Sequence, residues 1–359
     1  MVISEICKEL QLNGELISYD ILTNGNINTT YHVFCDDNGV RYDYLLQRIN
    51  KNVFKDPVGV MQNIALVTDY IAENSTSKDL SILLFNKTKK GKPYVIDELG
   101  NFWRCCQYLD CVTFNTTDNK VVIEEAGSAF GKFQLSLQGF DPSKLNISIP
   151  DFHNTKKRIE NLEKAIMFTS LTRKALCEEE IKYVLSNKEI ASILCNMYDK
   201  GELPLRVTHN DTKCNNVIFD KNTLKALAVI DLDTIMPGLT AYDFGDGARS
   251  ISCTTEEDEK DLSLVKFDLD KFESFAKGYL SSIKSILTEN EIKTLGISCY
   301  ILTLELAARF LEDFLNSDIY FKTTYENQNL YRTKCQIALC KDIWAKLDKI
   351  NEIINKYSV

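Results

Sequence analysis

The sequence predicts an α+β chain in two lobes, a small antiparallel-sheet lobe followed by a larger, mainly helical one. Two patterns carry this. The first third alternates short apolar runs with polar turns, as hairpins do, and holds a single helical pattern. From Val121 apolar residues recur at helical spacing, interrupted by a strand-like stretch between Arg206 and Asp233. Residues 1–108 are assigned to the first lobe and 109–359 to the second.

Tyr19–Leu22 is a strand leading into the polar turn Thr23-Asn24-Gly25-Asn26, and Tyr31–Cys35 follows as the next. Asp37-Asn38-Gly39 is a tight hairpin signal, with Tyr42–Ile49 returning. Val60, Ile64, Val67 and Ile71 give the helix Pro57–Glu73. Two further strands are expected at Ser81–Leu84 and Tyr94–Ile96, around the turn Lys87–Gly91, and Phe102–Tyr108 closes the lobe. In the second lobe Ala126, Phe130, Phe133 and Leu137 mark one apolar stripe. Further helices are expected at Thr155–Ser170, Glu178–Lys200, Asp270–Ile286, Glu289–Asn316 and Leu330–Lys356.

Bulk properties narrow the function. The chain has 359 residues, 44% hydrophobic and 26% charged, an ordinary globular composition. Its net charge of −9 and lack of a basic run argue against nucleic acid as a partner. The N-terminus has charges within its first ten residues and no apolar core of a signal peptide, and no uncharged apolar stretch is long enough to span a membrane. The expectation is a cytoplasmic monomer that handles small molecules. The 12 cysteines are scattered without a Cys-x-x-Cys pair, and only three histidines accompany them, so they read as free thiols in a reducing compartment.

The chemistry lies in the interruption. Val207-Thr208-His209-Asn210-Asp211-Thr212-Lys213-Cys214-Asn215-Asn216 contains His-x-Asp followed, after four residues, by Asn, the spacing of the protein-kinase catalytic loop. A short apolar strand, Leu227–Ile230, then ends in Asp231-Leu232-Asp233. Phosphoryl transfer passes through a loose transition state, so catalysis is mostly positioning and charge neutralisation. One carboxylate must accept a hydrogen bond from the attacking hydroxyl, and other oxygens must hold Mg²⁺ against ATP phosphates. Asp211 suits the first role, Asn216 and Asp231 the second. Lys213 is placed to reach the transferring group, and His209 reads as a scaffold of the loop. The literal Asp243-Phe244-Gly245 follows a Pro-Gly turn rather than a strand. Asp243 or Asp246 is therefore read as structural, bonding backbone amides of the catalytic loop.

For the nucleotide, the turn Gly25-Asn26-Ile27-Asn28-Thr29 sits between two strands, where a phosphate-covering loop belongs, although it has one glycine only. The usual strand lysine is missing; Gln47-Arg48 stands in its place, and alternation turns only one of the two toward a given face. Arg48 is the candidate for the charge, with the choice of which residue faces the nucleotide, Gln47 or Arg48, left open by the sequence. The helix expected to supply a partner glutamate reads Met61-Gln62-Asn63.

The run His209–Asn216, with Ala228-Val229-Ile230-Asp231-Leu232-Asp233-Thr234-Ile235-Met236-Pro237-Gly238 and Ala241–Asp246, resembles the phosphotransferases that include aminoglycoside phosphotransferases and choline kinases. Within them it most resembles the N-acetylhexosamine 1-kinases, over nearly the whole chain, including Leu46–Asn50, Leu304–Phe310 and Asp318–Lys322. The resemblance implies a protein-kinase-like two-lobed fold and transfer of the ATP γ-phosphate to the anomeric oxygen of N-acetylglucosamine or N-acetylgalactosamine. It implies Asp211 as base, Asn216 and Asp231 as Mg²⁺ ligands, and Arg309 and Tyr320 as sugar-pocket residues. The alternative for Arg309 is an ion pair with Glu305 or Asp313 on the same helix face. Ser250 departs from the aromatic residue expected there in relatives, which leaves the reaction type alone and bears on the preferred sugar.

Overall fold

The computed structural model describes residues 3–22, 28–51, 54–74 and 82–359. The chain opens with α1 (Ile3–Glu9), β1 (Glu15–Leu22), β2 (Thr29–Asp37), β3 (Val40–Arg48) and α2 (Pro57–Asn74), then β4 (Val95–Ile96) and β5 (Phe102–Gln107). The strands form one antiparallel sheet in the order β1-β2-β3-β5-β4. The β2–β3 turn pairs Asp37 with Val40 across two residues, and Asn38 and Gly39 both take positive φ, as the Asn-Gly signal demands. One sheet face packs on α1, where Ile6 and Leu10 meet Val33, Leu46, Trp103 and Cys105. Helix α1 was not anticipated; its few apolar residues are too short a run to establish a period.

The chain continues through α3 (Lys120–Ser136), α4 (Thr155–Phe168), α5 (Leu171–Leu176), α6 (Glu178–Ser186), α7 (Lys188–Ala191), α8 (Ile193–Asp199) and β6 (Arg206–Thr208). After β7 (Val217–Phe219), β8 (Ala226–Val229) and β9 (Met236–Gly238) come α9 (Thr240–Ser252), α10 (Leu269–Ile283), α11 (Glu289–Leu315), α12 (Gln328–Ala345) and α13 (Leu347–Ser358). Two compact units result. The first comprises residues 1–113, 139–150 and 218–237; the second comprises 114–138, 151–217 and 238–359. The fold class expected from the sequence is the one observed, an antiparallel-sheet N-terminal lobe and a mostly helical C-terminal part.

Several expected elements differ. Residues 82–84 are not a strand; only Phe85 makes an isolated bridge, to Cys106, and Ser81 lies outside the described residues. The stretch expected as Glu178–Lys200 is three short helices, broken at Asn187 and Ser192. Polar side chains that bond nearby backbone compete with helix continuation, and Asn187 donates to the Tyr183 carbonyl. Leu330–Lys356 likewise divides at Lys346, which closes α12 and opens α13.

The second unit is organised around α11, begun by a full capping box from Thr288 and Glu291. Its most apolar 18-residue window is 83% buried within the protein, so a hydropathy fit for a membrane span serves core packing here. All 12 cysteines are free: Cys111 and Cys253 are partly exposed and the rest buried. Burial pushes the thiols up, Cys7 to about 12 and Cys106 to about 11.

Helices α3 and α10 approach closely at glycines. A Cβ on Gly127 would overlap the Phe275 carbonyl oxygen and lie 3.0 Å from the Tyr279 nitrogen, both rigid backbone atoms. Gly127→Ala is therefore expected to cost roughly 1–3 kcal/mol through overpacking, measurable as a lowered denaturant midpoint with unchanged m-value.

Candidate active site

The predicted catalytic loop leaves β6 in the second unit and is held almost entirely through its backbone. Asn210 sits at φ 64, the left-handed region that a non-glycine residue adopts only when its surroundings hold it there. The Asp243 carboxylate accepts from the amides of His209 (2.9 Å) and Asn210 (2.7 Å). Asp246 accepts from the Thr212 amide at 3.0 Å, and the Thr212 hydroxyl donates to the Asp243 carbonyl at 2.7 Å. Both aspartates stand on α9 and are buried. The structural role expected for one of them thus falls to both. Gly238 lets the chain pass against Thr208, since a Cβ there would overlap the Thr208 hydroxyl.

His209 is fully buried, accepts the Asp211 amide on Nδ1 at 3.2 Å and meets the Phe130 ring edge-on at 5.6 Å. It lies inside the loop, as a scaffold does. Asp211 is partly exposed. Lys213 Nζ lies 3.0 Å from its Oδ1, and Asn216 Nδ2 donates to its Oδ2 at 2.9 Å and to its backbone carbonyl at 2.8 Å. The structure therefore brings Asp211, Lys213 and Asn216 together. A carboxylate steered by one ammonium and one amide keeps lone pairs for an incoming hydroxyl. Proximity to Asp211 raises the Lys213 ammonium, against the effect of burial. Asp246 is held below the usual carboxylate range; burial pushes it up, and Arg249, then Lys213 and His153, outweigh this.

In the first unit the acidic segment after β8 carries Asp231 in the left-handed conformation (φ 58, ψ 57), opening a single 3₁₀ turn. Asp233 is buried and ion-paired with Arg104 of β5, whose exposure is only 3%. Asn28 Nδ2 donates to the other Asp233 oxygen at 2.9 Å and accepts the Asn50 amide at 2.9 Å. Gln47, the cross-strand neighbour of Arg104, accepts its Nε at 2.9 Å. Arg48 points to the opposite sheet face, exposed, near the Trp103 ring and donating to Thr29 Oγ1 at 3.3 Å. Of the two strand residues, Gln47 and not Arg48 joins the buried network. Gly25, Asn26 and Ile27 lie outside the described residues.

Arg309 on α11 makes no ion pair with a carboxylate among the described residues. Glu305 is paired with His153, and Asp313 accepts the amides of Ile319, Tyr320 and Phe321. The guanidinium lies instead between two rings, 5.6 Å from Phe152 and 5.5 Å from Phe321. Tyr320 is 67% exposed and stacks edge-on against Phe321 at 4.9 Å, so Arg309 and Tyr320 share that ring.

Sequence reasoning missed Arg104, Asp233, His153 and Glu305 as members of these networks. A signal existed for Arg104: a lone arginine in the apolar strand Phe102–Cys106 must find a buried carboxylate. Magnesium bound through nucleotide phosphates takes one or two protein carboxylates and keeps waters, so it does not require an all-protein cage. Among the described residues, no group of three His, Cys, Asp or Glu is placed to hold a metal. Asn216 turns its amide nitrogen to Asp211, leaving the oxygen as its acceptor side, and Asp231 is a carboxylate; both are donors of the kind magnesium takes.

Comparison with known proteins bears on family and fold. A family model described as "Phosphotransferase enzyme family" matches residues 21–275. An aminoglycoside phosphotransferase from Alicyclobacillus acidocaldarius is similar in structure, with TM-score 0.65 and 12% identity over 99% of this chain and 97% of that one. A microcompartment-associated aminopropanol kinase is similar at TM-score 0.62 and 16% identity, covering 93% of each chain. A spectinomycin phosphotransferase solved with ADP and spectinomycin is similar at TM-score 0.57 and 12% identity, over 94% of this chain and 96% of that one. Nucleoside triphosphatase I of Amsacta moorei entomopoxvirus is 32% identical over 89 residues, which span 24% of this chain and only 13% of that protein.

The buried Arg104–Asp233 pair yields a stability prediction. Arg104→Met strands a desolvated carboxylate and is expected to cost about 3–5 kcal/mol. Adding Asp233→Leu should recover most of that loss, and urea denaturation of both single variants and the double variant checks it.

Proposed function

The chain belongs to the phosphotransferase enzyme family, and from that premise we propose that it is a small-molecule kinase. In this reading it transfers the γ-phosphoryl group of Mg-ATP to the anomeric hydroxyl of an N-acetylhexosamine, releasing ADP and the sugar 1-phosphate. The observation that carries the reaction type is the Asp211 loop, whose partly exposed carboxylate is steered by Lys213 and Asn216. Asp211 accepts the hydroxyl proton, and Lys213 neutralises charge developing on the transferred group. His209 keeps the loop in shape. Asn216 and Asp231 are the proposed Mg²⁺ ligands; the ion, when bound, would neutralise the phosphate charge. Asn28 and Thr29, with Gly25, Asn26 and Ile27 before them, are the proposed nucleotide-covering turn. Arg48 lies exposed against Thr29, and the buried Gln47–Arg104–Asp233 network favours Arg104 for the electrostatic role usually filled by a strand lysine.

A neutral, hydroxyl-rich acceptor is supported by Arg309. Phe152 lies under its guanidinium, and the next residue, His153, bonds the Asn210 carbonyl beside Asp211. That contiguity supports reading Arg309 as a fixed fork of donors on the acceptor side, suited to sugar and acetamido oxygens and opposed to a cation such as choline. Tyr320 supplies an aromatic face for a pyranose ring.

The test is ADP release from Mg-ATP across N-acetylglucosamine, N-acetylgalactosamine, glucose, galactose, choline and an aminoglycoside, with phosphorus NMR of the product. The expected product is an anomeric phosphate on an N-acetylhexosamine. Turnover with choline or the aminoglycoside alone would discard the sugar while keeping the phosphotransfer. Asp211→Asn is expected to lower kcat by about 10²–10⁴-fold with little change in the KM for ATP; a variant with undiminished turnover would remove Asp211 from the base role.

A further inference from the structure

His153 is buried at the start of the segment leading into α4, in the second unit, and has no place in the scheme above. Its Nδ1 lies 3.2 Å from both oxygens of Glu305, and its Nε2 lies 3.3 Å from the backbone carbonyl of Asn210. Exposure is 7% for the His153 side chain and 2% for that of Glu305. A carbonyl oxygen can only accept, and so can an ionised carboxylate. A neutral imidazole has one N–H and would leave one of these buried acceptors facing a lone pair. The imidazolium, with two N–H groups, satisfies both.

The second acceptor matters because Asn210 is the left-handed residue directly before Asp211. Its amide is fixed by Asp243 and its carbonyl by His153, so both peptide groups flanking the strained φ are clamped. We propose that His153 is a positioning residue for phosphoryl transfer: held as an imidazolium by Glu305, it donates Nε2–H to the Asn210 carbonyl and fixes the turn that presents Asp211. Glu305 is the partner that keeps the ring charged.

The other groups facing the ring fit this assignment. Burial alone favours the neutral ring; Glu305 and, from α9, Asp246 outweigh it, with Arg309 opposing, and His153 is raised above its ordinary range. Tyr242 of α9 packs its ring 5.1 Å away, and burial keeps its hydroxyl protonated and uncharged. Phe152 covers another side at 4.6 Å. Because the ring gains its proton partner on folding, the clamp is complete at pH below the ordinary histidine value and is lost as pH rises through the raised one.

The inference rests on the phosphotransferase reading, and the experiment separates the two. Ring nitrogen NMR of the wild-type protein needs no acceptor; near neutral pH it should show both His153 nitrogens protonated, and Glu305→Gln should shift the ring toward the neutral form. With Mg-ATP and an N-acetylhexosamine, His153→Phe is expected to lower kcat about 10²-fold, as misplacement of a reacting group does, while the KM for ATP stays nearly constant. His153→Gln, which keeps an N–H within reach of the Asn210 carbonyl, should regain part of the rate. Wild-type kcat should fall on the alkaline side, with that limb displaced to lower pH in Glu305→Gln. A neutral wild-type ring at neutral pH overturns the proposal, and so does an alkaline limb that Glu305→Gln leaves in place. A silent acceptor panel would count against the N-acetylhexosamine reading instead and leave the ring-nitrogen test of His153 standing.

Discussion

A loop that carries a partly exposed carboxylate at the edge of a buried core has a backbone problem before it has a chemical one. The amides of His209, Asn210 and Thr212 point inward, where water cannot satisfy them, and each unpaired one would cost on the order of a hydrogen bond and its desolvation. Helix α9 answers with two carboxylates one turn apart, Asp243 for the first two amides and Asp246 for the third. The helix can stand close enough because Gly245 faces Ser298 of α11, where a Cβ would sit 2.7 Å from the Ser298 carbonyl oxygen. Sequence, helix packing and loop geometry are thus one constraint. The left-handed turn at Asn210 persists because its neighbours' amides have nowhere else to go.

The same logic recurs in the first unit with different residues. Asp233 is anchored by Arg104, and the polar pair Gln47–Arg104 links adjacent strands across the sheet. The buried charge stands on β5, cross-strand from Gln47 of β3. Positional correspondence along the chain is therefore a poorer guide to such a network than correspondence in space.

What was legible in the sequence was local. The His-x-Asp-x(4)-Asn spacing, the Asn-Gly hairpin and the apolar stripe of α3 are all set by residues within a few positions of one another, and each appears where expected. The structural use of one of Asp243 and Asp246 was legible too; that both serve was not. The illegible parts were contacts between distant positions: His153 with Glu305 and Asn210, Arg104 with Asp233, and Arg309 with Phe152 and Phe321. No local pattern announces which buried charge will meet which. Helix breaks at Asn187 and Lys346 were missed because apolar periodicity runs through them, while backbone capping decides where a helix stops.

The cysteines have a use unrelated to catalysis. Cys7, Cys35, Cys105 and Cys106 are sealed within the first unit, and Cys177, Cys195, Cys214, Cys299, Cys335 and Cys340 within the second, while Cys111 and Cys253 are partly accessible. A sealed thiol meets an alkylating reagent only when its surroundings open. The chain therefore carries a native set of opening reporters, distributed over both units, and mass-resolved labelling of each cysteine would give the local opening free energy of each unit without any introduced probe.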